Sequence, residues 1–195
     1  MTREKIIENL RKYGLATFPC EGKKPIKSGW QQRDEYVPEG TPFGVRVGGE
    51  SKIIVLDPDD KALRSAFQPI IEKTYSVGTG DGFHIYILTN ELPSTTRLDN
   101  KEGQHIDIQS TGSYVIGESS DHYDKEKDEN GKDVYFKSGK KYTLLSKDRK
   151  INYIDFETEI KPILKKLGFD LTKKPIKERE SNAILNGVTK GNRNN

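Results

Sequence analysis

The stretch Ile53-Ile54-Val55-Leu56-Asp57-Pro58-Asp59 joins the most hydrophobic strand-like run of the chain to two carboxylates. Its four aliphatic residues are apolar on both faces, which is typical of a central strand that is covered on both sides. Proline cannot donate to a sheet ladder, so the Asp-Pro-Asp segment belongs at a strand end or edge, where residues two apart project to the same side. The sequence therefore predicts a buried strand that presents Asp57 and Asp59 together.

Two interpretations of this carboxylate pair stay open on the motif alone. Like charges at this spacing repel each other, and a hard divalent cation such as Mg²⁺ removes the repulsion, because carboxylate oxygens are its preferred ligands. In the other interpretation the pair is structural, and Asp59 caps a helix that begins near Lys61.

Two further segments alternate between apolar and polar residues. In residues 105–109 (His-Ile-Asp-Ile-Gln) the isoleucines belong to the core and Asp107 lies on the opposite face, and in residues 83–87 (Phe-His-Ile-Tyr-Ile) His84 lies opposite the apolar face. A solvent-exposed Asp107 and a structural His84 remain the alternatives. If the strands are neighbours, one sheet face collects four candidate site residues: Asp57, Asp59, Asp107 and His84.

A glycine-rich loop, Gly78-Thr79-Gly80-Asp81-Gly82, precedes His84. Its glycines let backbone amides approach a phosphate. It lacks the full dinucleotide-binding fingerprint and is followed by a strand instead of a helix, which argues against a Rossmann site. We predict nucleotide contacts at Thr79, Gly80 and Gly82, and electrostatic phosphate contacts at Lys23 and Lys24.

The composition narrows the class of protein. The 195 residues suffice for a core without disulfide or metal staples, and the net charge is only +3 although 32% of the residues are charged. The single cysteine, Cys20, excludes an intramolecular disulfide and a multi-cysteine zinc site. No stretch approaches the ~20 apolar residues of a membrane span, and Met1 to Glu4 opens no signal peptide. We therefore expect an intracellular protein with no membrane partner.

The remaining periodicity predicts three helices, over residues 2–13, 61–73 and 156–167. It predicts strands over residues 15–18, 43–47, 53–56, 83–88, 104–109, 113–116 and 141–145. The charged residues 118–133 are predicted to be a solvated loop or hairpin tip. Strands outnumber helices and cluster in mid-chain with short links, which favours an α+β fold with a mixed or mainly antiparallel sheet over a doubly wound fold.

These motifs, taken in order, resemble the N-terminal catalytic domain of bifunctional primase-polymerases (prim-pol) of the archaeo-eukaryotic primase superfamily, from replication proteins of plasmids and viruses. The resemblance runs from about Tyr13 to Tyr123. Five motifs in the right order make it specific: residues 14–30, 43–48, 54–59, 79–86 and 106–116.

The resemblance implies a DNA primase and DNA-directed polymerase that transfers nucleotides to a 3′ hydroxyl on a single-stranded template. It assigns two Mg²⁺ or Mn²⁺ ions to catalytic Asp57, Asp59 and Asp107, and it assigns the triphosphate of the nucleotide to His84. The implied fold has two lobes, an RNA-recognition-like sheet and a small second α/β unit, with the active site between them. Two positions depart from the family pattern: Gln109 stands where relatives usually carry Arg, and a single Cys20 excludes the zinc insertion of some relatives.

We expect residues 1–170 to form the catalytic domain and residues 171–195 to be a linker and the start of a truncated helical segment. Residues 184–194 resemble the region that follows the catalytic domain in such proteins, which predicts an excised part of a longer replication protein with a possible helicase region downstream. No Walker-type phosphate loop occurs in the sequence. Two alternative functions stay open: a metal-dependent nuclease, and a non-catalytic module that binds single-stranded DNA.

Overall fold

A computed structural model describes residues 1–172 of the chain. The predicted linker and helical segment therefore lie outside the described residues from position 173 onward and remain a prediction. Within the described range, no helix is long and apolar enough to cross a membrane.

Residues 1–172 contain three α-helices and twelve strands. The helices are α1 (Arg3–Lys12), α2 (Arg64–Ile71) and α3 (Lys161–Lys166). The strands are β1 (Ala16–Glu21), β2 (Lys24–Pro25), β3 (Phe43–Arg46), β4 (Ile53–Pro58), β5 (Ser76–Gly78), β6 (Phe83–Leu88), β7 (Thr96–Asp99), β8 (His105–Gln109), β9 (Tyr114–Ile116), β10 (Asp121–Lys127), β11 (Asp133–Lys141) and β12 (Thr143–Leu144).

The strands of this range form three sheets. A six-stranded sheet has the order β12-β5-β6-β4-β8-β7, a four-stranded sheet has the order β2-β1-β3-β9, and β10 pairs with β11 in a hairpin. Neighbouring strands in all three sheets are antiparallel. The predicted α+β class with a mainly antiparallel sheet is confirmed, and β4 lies inside the large sheet, as its apolar sequence predicts.

The six-stranded sheet is covered on both faces by apolar cores. Ile54 and Leu56 of β4 belong to the core that includes residues of α2 and α3. Ile53 and Val55 belong to the core formed with α1 and the four-stranded sheet. Because side chains alternate along a strand, Asp57 follows Ile53 and Val55 onto the face that meets the four-stranded sheet.

The helices follow their predicted positions, with differences at the ends. Helix α1 buries Ile6, Ile7 and Leu10 on one side, and it ends before Gly14, whose φ of +73° favours glycine. The predicted helix over 61–73 begins as a 3₁₀ turn, Lys61–Leu63, and the one over 156–167 begins as a π-helical turn, Phe156–Ile160. Both carry an aspartate cap before their first turn.

The charged segment over residues 118–133 belongs to a hairpin, as one of its two predicted alternatives states. It forms the β10–β11 hairpin, and the predicted strand over 141–145 divides into the last residue of β11 and the short β12. Five strands were not predicted: β2, β5, β7, β10 and β11. The reason is clearest in the hairpin, which lacks apolar alternation and is held by ion pairs of Asp133 with Lys125 and Lys127 and of Asp121 with Lys137.

Candidate active site

Three neighbouring strands carry a row of polar residues across one sheet face. Asp57 on β4 is the cross-strand partner of Asp107 on β8. On the other side of β4, the Nε2 atom of His84 on β6 lies 3.3 Å from Oδ1 of Asp57. The structure thus brings together three of the four residues that alternation predicts on one face.

The fourth residue, Asp59, directly follows β4 beside the same row. Its carboxylate contacts the Nε2 atom of His105, and its backbone N–H donates to the carbonyl oxygen of His105 at 3.4 Å. The sequence analysis did not assign His105 to the site. Its position two residues before Asp107 on an alternating strand is the signal that could have done so.

The structural interpretation of Asp59 as a helix cap is wrong. The cap is the next residue, Asp60, whose Oδ1 atom accepts a hydrogen bond of 2.8 Å from the backbone N–H of Ala62. The other carboxylate oxygen of Asp60 accepts from the side-chain amide of Gln104 at 2.7 Å. Asp59 is therefore not needed to cap the helix, and its side chain is half exposed.

The carboxyl group of Asp107 has a raised pKa. Burial, followed by the nearby carboxylates of Asp57 and Asp59, raises the pKa of Asp107 to about 6. Its Oδ1 atom is buried and has no hydrogen-bond partner within residues 1–172. A buried oxygen without a donor, next to two further carboxylates, is a donor set that suits a hard divalent cation such as Mg²⁺ or Mn²⁺.

The side chains do not yet form a closed metal site. Among the described residues, no group of three or more His, Cys, Asp or Glu side chains is arranged to hold a metal ion. The contact between Asp59 and His105 uses one of the three carboxylates. A site built from all three must use the other oxygen of Asp59 or replace His105 at Oδ2.

A cleft of about 460 Å³ opens at Asp57 and His84, whereas Asp107, the third member of the row, is not among its lining residues. Of the predicted site residues, six line it: Lys23, Asp57, Asp59, Thr79, Gly82 and His84. The other predicted nucleotide contacts lie elsewhere: the Nζ atom of Lys24 is 5.1 Å from the centroid of the Tyr135 ring, and Gly80 packs against the ring of His122.

The glycine loop before His84 is a tight turn fixed by its own hydrogen bonds. The Thr79 hydroxyl accepts from the N–H of Gly82 at 3.0 Å, and the Thr79 N–H donates to the Gly82 carbonyl oxygen at 3.0 Å. A Cβ atom at Gly82 would lie 2.0 Å from the carbonyl oxygen of Pro58. Glycine is thus needed here for the close approach of the loop to the chain between Asp57 and Asp59.

Several cleft residues come from the charged segment that sequence reasoning left without a site role. His122, Asp124 and Lys125 of β10 line the cleft, as does Tyr142, which follows β11. These residues belong to no motif that spacing could reveal. The composition held one hint, because the chain has only three histidines and each of them lies in or beside the cleft.

The antiparallel α+β fold carries carboxylates and a histidine on one sheet face, next to a cleft lined by a lysine. Metal-dependent phosphoryl-transfer enzymes use side chains of these types. The chain belongs to the Prim-Pol family: the family model described as "Bifunctional DNA primase/polymerase, N-terminal" matches residues 7–155. It is therefore a nucleotidyltransferase of a family whose substrates are DNA and nucleotides and whose polymerases generally use a divalent metal. A search of curated proteins finds no match to the chain.

Proposed function

We propose that this chain is the catalytic domain of a primase-polymerase that copies a single-stranded DNA template. It transfers nucleotides from nucleoside triphosphates to a 3′ hydroxyl and releases pyrophosphate. One observation carries the assignment of the site: Asp57, which lines the cleft together with Asp59, is the cross-strand partner of Asp107.

In this proposal Asp57, Asp59 and Asp107 hold two Mg²⁺ or Mn²⁺ ions. When bound, the ions lower the pKa of the attacking 3′ hydroxyl and neutralise charge on the leaving pyrophosphate. The unpartnered Oδ1 atom and the raised pKa of Asp107 support the assignment, because a crowded carboxylate gains most from a cation. Zinc is not part of the proposal, since Cys20 is buried and burial raises its pKa to about 12.

The other cleft residues orient the nucleotide. His84 lies at one end of the carboxylate row, with its Nδ1 atom buried and unpartnered in the described part of the chain, and we assign it to the triphosphate. Lys23 attracts the phosphates electrostatically, and the turn that contains Thr79 and Gly82 lines the space beside them. Gly80 and Lys24 act indirectly, by packing against His122 and Tyr135.

The same proposal covers the architecture and the setting of the reaction. The six-stranded sheet with α2 and α3 is the RNA-recognition-like unit, the four-stranded sheet with α1 is the smaller unit, and the cleft separates them. Template and primer strands are the partners, and a helicase region of a longer protein follows the domain. The setting is plasmid or virus replication inside the cell.

A primer-extension assay tests the proposal. The 195-residue chain is incubated with a 5′-labelled primer on a single-stranded template, with Mg²⁺ or Mn²⁺ and nucleoside triphosphates. We expect primers to lengthen only when metal and nucleotides are both present. Asp57→Asn and Asp107→Asn should abolish extension, whereas Asp60→Asn should retain it, because Asn caps a helix as well as Asp does.

The assay also separates the alternatives. Shortening of the labelled strand without nucleotides would identify a nuclease. Salt-sensitive binding of single strands without any change in their length would identify a binding module. Extension by Asp57→Asn at the wild-type rate would refute the proposed site.

A further inference from the structure

His122 is a buried polar residue at the cleft for which the proposed function has no role. His122 lies on β10 and is only 5% exposed. It lines the cleft together with Asp57 and His84. Its Nδ1 atom lies 2.8 Å from the hydroxyl of Ser138 on the neighbouring strand β11. The neighbouring strand of the hairpin therefore holds the ring through Nδ1.

The orientation of the ring is fixed by a second contact. A Cβ atom at Gly80 would lie 2.5 to 2.7 Å from Cε1, Nε2 and Nδ1 of the imidazole, so the ring packs closely against this glycine. Within the described range, the ring hydrogen bond is made through Nδ1, which leaves Nε2 for a ligand. A rigidly held imidazole with one free nitrogen, beside a glycine loop, is suited to bind an anion.

A row of rings connects His122 to the carboxylates. The centroid of Tyr142 lies 5.6 Å from that of His84 and 5.7 Å from that of His122. His84 in turn contacts Asp57. Tyr142 thus contacts both imidazoles, and all three rings line the cleft that Asp57 also lines.

The charges around His122 are balanced without a ligand. Asp124 on its own strand lies 3.7 Å from Nδ1, and Asp81 of the glycine loop pairs with Lys140 of β11 at 2.7 Å. Lys23, which precedes β2, lines the same cleft as the ring. Burial, followed by the charge of Lys23, lowers the pKa of His122, and a phosphate at Nε2 would oppose both effects.

We propose that His122 is a second phosphate-binding residue, whose Nε2 donates a hydrogen bond to the terminal phosphate of the incoming nucleoside triphosphate. The inference rests on the proposed function and adds a specificity to it. His84 binds the phosphates near the carboxylates, and His122 detects whether the third phosphate is present. The site then prefers triphosphates to diphosphates and monophosphates.

Two substitutions separate binding from structure. His122→Asn retains an oxygen near the Nδ1 position that can accept from the Ser138 hydroxyl but removes the donor at Nε2, whereas His122→Gln retains a donor near Nε2. Calorimetry with a deoxynucleoside tri-, di- or monophosphate and Mn²⁺ measures the affinities. We expect His122→Asn to weaken triphosphate binding about tenfold, as for the loss of one hydrogen bond to a charged group, with diphosphate and monophosphate unchanged. His122→Gln should recover most of the loss.

An independent measurement uses the wild-type chain. It contains only three histidines, so their imidazole ¹⁵N signals can be assigned by substitution. Inorganic triphosphate with Mg²⁺ should shift the Nε2 signal of His122 more than inorganic pyrophosphate does. This measurement decides the matter if His122→Asn does not fold.

The outcomes distinguish this inference from the proposed function. Wild-type affinity of His122→Asn for the triphosphate, or an Nε2 signal that triphosphate does not move, would overturn the role of His122 while leaving primer extension intact. An equal loss for all three nucleotides would overturn the assignment to the terminal phosphate. A wild-type chain that neither binds triphosphate nor extends primers would overturn both.

Discussion

Asp57 and Asp107 lie directly opposite each other on neighbouring antiparallel strands. Like charges in this position destabilise a sheet, and one of the two carboxylates, Asp107, has a pKa raised to about 6 by burial and by Asp57 and Asp59. The folded chain thus carries an electrostatic cost where the proposed function needs a metal ligand. Such a cost is common at functional sites, where stability is given up for chemistry.

Asp107→Asn should stabilise the metal-free protein at neutral pH. Because the folded pKa exceeds the unfolded one, the folded state binds more protons between about pH 4 and 6, and its stability falls as the pH rises through that range. The variant lacks this loss, so it should be more stable than the wild type by about 1 kcal/mol at pH 7, allowing for the partial exposure of the group. Urea unfolding in EDTA measures the difference.

The pH dependence provides the control for this substitution. At about pH 4 the wild-type carboxyl is protonated in the folded state, so the two proteins should unfold at nearly the same urea concentration. Added Mn²⁺ should raise the stability of the wild type more than that of the variant. If Asp107→Asn is the less stable protein at pH 7, the repulsion inferred at this position is absent.

Asp59 and Asp60 should separate catalysis from stability. Asp59→Ala removes a half-exposed carboxylate and should abolish primer extension with little change in unfolding temperature. Asp60→Ala removes the cap of the following turn and should cost about 1 kcal/mol of stability while extension continues. Thermal unfolding and extension, measured on both variants, test the pair. Retained extension in Asp59→Ala would exclude that residue from the site.

Lys23 and Lys24 form another matched pair, because one lysine lines the cleft and its neighbour lies over the Tyr135 ring. Lys23→Ala should raise the KM for the nucleotide about fivefold, which corresponds to about 1 kcal/mol for an exposed ionic contact. The increase should shrink at high salt. Lys24→Ala should leave the KM within about twofold of the wild type, and equal effects of the two substitutions would contradict the assignment of Lys23.

The sequence predicts the carboxylate row because β6 and β8 alternate between apolar and polar residues, and because the apolar run of β4 ends at Asp57. Burial of the aliphatic residues in β4, β6 and β8 determines which face Asp57, His84 and Asp107 occupy. The identity of the cap was not predictable in this way, because Asp59 and Asp60 are chemically equal and only the backbone geometry distinguishes them.

The register and position of the β10–β11 hairpin, which contains His122, could not be predicted from the sequence. Its apolar residues Val134 and Phe136 are exposed, so no burial pattern specifies its register, which depends on ion pairs such as that of Lys137 with Asp121. Its position over the glycine loop depends on the contact between Lys140 and Asp81, which are distant in sequence. Ion pairs between distant residues produce no hydrophobic periodicity in the sequence, so a periodicity analysis does not detect them.

Gly82 should be essential for the geometry of the acidic residues. A Cβ atom there would lie 2.0 Å from the Pro58 carbonyl oxygen, so Gly82→Ala must displace the backbone between Asp57 and Asp59. We expect a loss of about 1–3 kcal/mol in stability, and at least about a tenfold loss of extension. Gly103→Ala is the matched control: its φ of +79° makes alanine unfavourable by about 1–2 kcal/mol, but its Cβ would meet no atom within 4 Å. Gly103→Ala should therefore lose similar stability and retain extension, and equal activity of the two folded variants would contradict a positioning role for Gly82.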